Sequence, residues 1–388
     1  MVWNVRKRDV DFFVDDLWKD LRGFSTSQAG ELGKNCFSES GASHEAMVLN
    51  VLAERMGDNL VPHVLRVEGP MLYMERVQGI RLFDLIRHLR AAELDMPEPA
   101  RAARKAVMAS AGQQLARLQE VLFDLGNEGA LGPLTPYPLE LKIRRLIELF
   151  ISVLGLRVAT DEWVTELAAL SRDWESVDCV VPFRDATTKN VIARLDLPPE
   201  PTGDLEGWQR EHVYNALAQK PATFWGDLIL TDVDFSSIVN ATSPEDDPIS
   251  LYFHEWTADT ITLSADALIL SPKLGRPNPR RAALTLLVRY LRFGGRKLAY
   301  RLINTQGFSV RFAYDDPLYY FRNARAHCDR LDPSLSIEAA NLFDIVDAIG
   351  SSFSTASAAD LQVTRIDHVR RFGHVADYWQ QSPQEGDE

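Results

Sequence analysis

Apolar residues recur along most of this chain at helical spacing, and short strand-like runs are confined to two stretches. The first helix is predicted over residues 43–56, where Ala46, Leu49, Leu52 and Met56 follow the 3.6-residue period. Ser43 is its candidate cap, and Glu45 falls in its first turn. Residues 61–67 and 71–79 read as two strands joined by a Gly69-Pro70 turn, followed by a helix over 82–88. Residues 91–180 are predicted to be mostly helical. One face of 100–122 carries Val107, Ala111, Leu115, Leu118 and Leu122, and 139–154 carries Ile143, Leu146, Phe150 and Val153. A third helix is expected over 161–174, with Asp161 as its cap. His88 and the arginines of these helices read as solvated faces.

The second strand-like stretch begins after Asn190. Residues 191–197 and 224–235 each read as a strand, separated by a Pro-rich segment and a short helix over about 208–217. The two strands would still meet if the insert at 198–223 lies outside the sheet. Helices are expected again over 280–302 and 337–349. Residues 9–21 have roughly helical spacing, 23–30 are loop-like, and 382–388 form a polar tail.

The composition is that of a globular protein, and 388 residues are ample for a core. A net charge of −13 argues against a nucleic-acid binder, which would carry a basic face. No apolar run approaches the length needed to span a bilayer, so no membrane association is expected. The N-terminal residues lack the apolar region of a signal peptide. Cys36, Cys179 and Cys328 form neither a disulfide framework nor a metal spacing, and a reducing cytoplasm is the expected location.

The chemistry-bearing stretch runs from Val181 through Phe183-Arg184-Asp185 to Lys189-Asn190. It places an Asp and an Asn five positions apart, each after a basic residue. Asp and Asn both favour turns, so the stretch alone reads equally as a turn. Further on, Leu230-Thr231-Asp232-Val233-Asp234-Phe235 is a strand-like run ending in Asp-Phe. Phosphoryl transfer from ATP needs a carboxylate that orients and accepts from a hydroxyl, and two oxygen ligands for magnesium. Arg-Asp-x4-Asn, a strand, and then Asp-Phe can supply all three.

This pair of motifs resembles the protein kinase-like superfamily, specifically the aminoglycoside phosphotransferase and choline kinase branch. Protein kinases write His-Arg-Asp-x4-Asn and Asp-Phe-Gly. Here Phe183 stands in place of the His, and Ser236 in place of the Gly. The resemblance implies an α+β, bilobal fold. Residues 1–79 would be a reduced, β-containing nucleotide-binding lobe with a hinge at 74–79, and 80–388 a large, mainly helical catalytic and acceptor-binding lobe. It implies that Asp185 is the catalytic base and that Asn190 and Asp234 are magnesium ligands, with Asp232 as competitor for the metal role. Lys34, held by Glu45, would contact the ATP phosphates; the competing readings are a solvated lysine and a glutamate favoured by a helix dipole. The run Met74-Glu75-Arg76-Val77-Gln78-Gly79 would be the hinge, with the carbonyl of Glu75 and the N–H of Val77 on the adenine. Asp247 would brace the catalytic loop, or simply begin a helix.

The implied activity is ATP- and Mg2+-dependent transfer of a phosphoryl group to a hydroxyl of a small molecule such as an aminoglycoside, sugar or amino alcohol. The acidic-aromatic run over 315–321 suits a cationic or sugar acceptor, and equally suits aromatic core packing behind a helix cap. No G-x-G-x-x-G precedes Lys34. That absence and Phe183 favour an alternative: a pseudokinase that binds a nucleotide or a protein partner without catalysis. Missing Asp-Phe-Gly and Ala-Pro-Glu motifs count against a protein kinase.

Overall fold

The computed structural model describes residues 31–36, 39–57, 60–131, 135–136, 139–154, 156, 162–171, 186–195, 204–219, 225–231, 240–241, 243–257, 264–303 and 317–355. They form an α+β structure of many helices and small sheets. The elements expected at 9–21 and 23–30, and the polar tail, lie outside these residues. The chain divides into two compact units, one from residues 23–137 and 178–278, the other from 1–22, 138–177 and 279–388.

In the first unit, strand β1 (Glu31–Asn35) is followed by helix α1 (Glu39–Met56), a hairpin of β2 (Val64–Glu68) and β3 (Met71–Glu75), and then β4 (Ile80–Arg81). β3 lies between the other two, antiparallel to both, with Lys34 opposite Leu72 and Glu31 opposite Glu75. The turn is Gly69-Pro70. Gly69 has a φ of +56°, and proline cannot follow it into positive φ, so only a turn with positive φ at its first central position fits. Between Val64 and Arg66 the register slips, which turns Leu65 outward. α1 packs on β2 and β3, and buries Ala42, Ala46, Val48, Leu49 and Leu52. It begins at Glu39, not at Ser43, so Ser43 lies inside the helix and Glu45 in its second turn. Gly41 and Ala42 are buried there, and burial outweighs the roughly 1 kcal/mol that a helical glycine costs.

Helix α2 (Leu82–Ala92) follows β4 directly and packs on α3 (Pro97–Asn127). Pro97 occupies the first turn of α3, where its missing N–H has no helical partner to lose. β5 (Thr135–Pro136) closes this segment. After a 3-10 turn at Thr188–Asn190, β6 (Val191–Ala193) pairs with both β4 and β7 (Leu228–Leu230), the strands lying in the order β4-β6-β7. The insert between β6 and β7 carries α6 (Leu205–Gln219), which packs on α2 and α3 outside that sheet. β8 (Asn240–Ala241) runs parallel to β5, and α7 (Asp246–Thr257) follows it. His88 and Arg104 are buried here, contrary to the solvated faces expected. α6 covers His88, whose Nε2 lies 3.4 Å from Gln209 Oε1. Arg104 is paired with Glu93 at 2.7 Å.

The second unit is helical: α4 (Leu139–Leu154), α5 (Glu162–Ser171), α8 (Pro279–Ile303), α9 (Pro317–Leu331), α10 (Leu335–Glu338) and α11 (Ala340–Thr355). The single helix expected at 337–349 is broken at Ala339, and the main-chain N–H groups of Asn341 and Leu342 donate to Glu166 of α5. α8 packs on α4 and α9, with Phe150 edge-on to Phe321 at 5.2 Å. Among the described residues, no helix is long and apolar enough to cross a membrane.

Candidate active site

Lys34 is the fourth of the five residues of β1, a strand held by its pairing with β3. Its side chain is buried, and its Nζ donates to Glu45 Oε1 of α1 at 2.6 Å. The second oxygen of Glu45 accepts from the thiol of Cys36, with Sγ 3.4 Å away. Lys34 and Cys36 are two residues apart on an extended segment, so both side chains leave the same face. Cys36 is itself held by its main-chain N–H, which donates to the carbonyl of Pro70 in the hairpin turn at 2.8 Å. The exposed-lysine reading of Lys34 is thereby excluded: its side chain is fully enclosed and ion-paired.

Desolvating an ammonium and a carboxylate costs several kcal/mol per ion, and apolar residues of similar volume often stabilise a fold as well or better. The pair is therefore a poor device for stability alone. A lysine ammonium carries three donors, and a carboxylate that holds one of them fixes where the other two can point.

β3 leads straight from this sheet to the other one. Met74 is buried, and Glu75 ends the strand with its N–H donating to the carbonyl of His63 at 2.8 Å. The Glu75 carboxylate lies 3.3 Å from Arg194 Nη2, just beyond β6. Val77 is nearly buried in the connector. Gly79 then passes against β6: a side chain there would meet Ile192 Cγ2 at 2.7 Å and come closer still to the Ala193 carbonyl oxygen. Residues 75–79 thus join the Lys34 sheet to the strand that follows Asn190.

Asn190 closes the 3-10 turn and directly precedes β6. Its main-chain N–H donates to the carbonyl of Thr187 at 2.9 Å, and its carbonyl accepts from both the N–H and the hydroxyl of Thr231. Thr231 follows β7, and Asp234 is three residues on, within about 10 Å of extended chain. The β6–β7 hairpin therefore forms despite the long insert. Asp185, Asp232 and Asp234 lie outside the described residues.

Asp247 is buried in the first turn of α7, and α7 packs on the 3-10 turn that holds Thr188 and Asn190. Several bonds set that helix. Gln119 Nε2 donates to the carbonyl of Pro244, and Glu245 accepts from the N–H of Asn278 and the hydroxyl of Ser243. The Tyr252 hydroxyl donates to the carbonyl of Met108, and its burial pushes the phenol pKa up to about 12. Among the described residues, no group of three or more His, Cys, Asp or Glu is placed to hold a metal ion.

Two contacts were not read from the sequence. Arg194 reaches Glu75 over a separation of 119 residues, and Cys36 reaches the Glu45 carboxylate. The second was accessible in principle, because a residue two positions after a strand lysine shares its face.

No family model matches this chain, and no curated protein matches it. Among solved structures, a choline/ethanolamine kinase family protein from Mesorhizobium loti is similar to it at a TM-score of 0.42 and 13% identity, covering 86% of this chain and 99% of that one.

Proposed function

We propose that this chain is a small-molecule kinase: an ATP- and Mg2+-dependent phosphotransferase acting on a hydroxyl of a small acceptor. The observation that carries the proposal is the buried Lys34–Glu45 ion pair, 2.6 Å long, between a strand and the following helix. In kinases a lysine held by a helix glutamate contacts the nucleotide phosphates. Three further features support the reading. The Glu75–Gly79 connector joins the Lys34 sheet to β6. The β6–β7 hairpin bonds Asn190 to Thr231, three residues before Asp234 in the chain. Helix α7, which carries the buried Asp247 near its start, packs on the 3-10 turn at Thr188–Asn190.

In this reading residues 1–79 are the nucleotide-binding lobe with the hinge at 74–79, and 80–388 the catalytic and acceptor lobe. Lys34 binds phosphate oxygens, and Glu45 keeps its ammonium oriented. The main chain of Glu75 and Val77 receives adenine, and the side chain of Met74 packs beneath it. Asp185 orients the acceptor hydroxyl and takes its proton. Asn190 and Asp234 offer an amide and a carboxylate oxygen, with Asp232 alongside. That all-oxygen set fits magnesium, a hard cation that prefers such ligands. Magnesium bound there would neutralise phosphate charge. Positioning and charge stabilisation by these residues would supply most of the rate. The acceptor class is a hydroxyl compound, with a cationic or sugar character suggested by the 315–321 run.

Thermal unfolding with Mg-ATP tests the proposal. A ligand at about 100 times its Kd stabilises the native state by about 2.7 kcal/mol. ATP with EDTA should stabilise much less. An unchanged melting temperature at saturating Mg-ATP overturns the proposal. The second reading, a pseudokinase, is favoured by Phe183 and by the lack of a G-x-G-x-x-G before Lys34. It predicts nucleotide binding with no turnover against any acceptor in a screen of hydroxyl compounds.

A further inference from the structure

We propose that Cys36 is a positioning residue for Lys34: its thiol holds one oxygen of Glu45 and so fixes how the other presents to the lysine ammonium. The proposal rests on the kinase reading above and adds a residue to it. Glu45 Oε1 accepts from Lys34 Nζ at 2.6 Å, and Oε2 accepts from Cys36 Sγ at 3.4 Å. All three side chains are buried.

The terminal torsion of a glutamate is broad and roughly two-fold. The Glu45 carboxylate can therefore turn relative to the ammonium, or take it with both oxygens. Either motion changes the direction in which the buried ammonium is held. A donor on Oε2 opposes both. Cys36 is suited to this because its own position is set independently, by the N–H bond to the Pro70 carbonyl in the β2–β3 turn. The clip thus ties strand, hairpin turn and helix to one carboxylate. A thiol is a weak donor, so its effect falls on orientation more than on stability.

Three variants test this: C36A removes the donor, C36V removes it while filling the space, and C36S keeps a hydroxyl donor. Two readouts apply. The first is the Lys34 Cε signal in protein labelled at lysine, assigned by its absence in K34R and followed without nucleotide. The expected result is a displaced or broadened Lys34 signal in C36A and C36V, and a near wild-type signal in C36S. The second is calorimetric Mg-ATP affinity. It should weaken in C36A and C36V by about 2- to 12-fold, the range commanded by one ordinary hydrogen bond, and recover in C36S. If all three variants behave alike, Cys36 is a packing residue and the inference is overturned. If the wild type binds no Mg-ATP, the kinase reading fails instead, while the Lys34 signal still decides whether Cys36 shapes the pair.

Discussion

Gly79 lies so close to β6 that a methyl group at its α carbon would overlap the carbonyl of Ala193. Its φ of +157° adds a backbone conformation that L side chains rarely adopt. The connector from Glu75 to Ile80 can run flush against β6 only because this position has no side chain. Gly79→Ala should therefore destabilise the protein by about 1–3 kcal/mol, the usual cost of overpacking. The shift in the urea midpoint measures it. A midpoint within error of wild type would mean that the connector can move away from β6 freely.

Lys34 and Glu45 give a prediction that separates stability from function. Lys34→Met or Glu45→Leu alone leaves a charge buried without its ion partner and should cost about 3–5 kcal/mol. The double variant Lys34→Met/Glu45→Leu should recover most of that stability, because two apolar chains fill the same space. It should not recover Mg-ATP binding. Denaturation and calorimetry on the same samples check both halves. Full nucleotide affinity in the double variant would remove Lys34 from the proposed site.

His88 predicts a pH dependence. Burial, reinforced by the nearby Arg87 charge, holds its pKa below the ordinary 6.5, against a smaller raising influence from Gln209, Asp84 and Glu206. Between the folded value and 6.5 the unfolded chain binds more protons than the folded one, so stability rises with pH in that window. It is lost as pH falls below 6.5 toward the folded value. Urea midpoints at about pH 7.5 and about pH 5.5 should differ more in wild type than in His88→Gln, which cannot titrate. Equal differences in the two proteins would show that His88 does not contribute.

Asp185 and Asp234 separate chemistry from binding. Asp185→Asn keeps the shape but removes the charge that, in the proposed mechanism, accepts the hydroxyl proton. It should lower kcat by about 10²–10⁴-fold with little change in Mg-ATP affinity. Asp234→Asn should weaken Mg-ATP binding along with turnover. Unchanged turnover in Asp185→Asn would sink the catalytic assignment.

Helices were the most legible part of this sequence, because a buried stripe repeats every 3.6 residues and announces itself locally. Residues 139–154 form a helix with the predicted limits. The β2–β3 hairpin was legible for a related reason, since its turn needs a glycine and a proline in that order. The motif around Asp185 and Asn190 marked a candidate chemistry but not a geometry. Tertiary structure alone decided the rest. β1 has no strand pattern of its own in five residues, and becomes a strand by pairing Lys34 with Leu72. His88 and Arg104 looked solvated until α6 covered one and Glu93 paired with the other. Lys34 was a candidate from its motif, but only the buried contact of its ammonium with Glu45 excluded a solvated surface lysine. Such contacts depend on which distant surface arrives opposite a residue, and a short local pattern carries no trace of that.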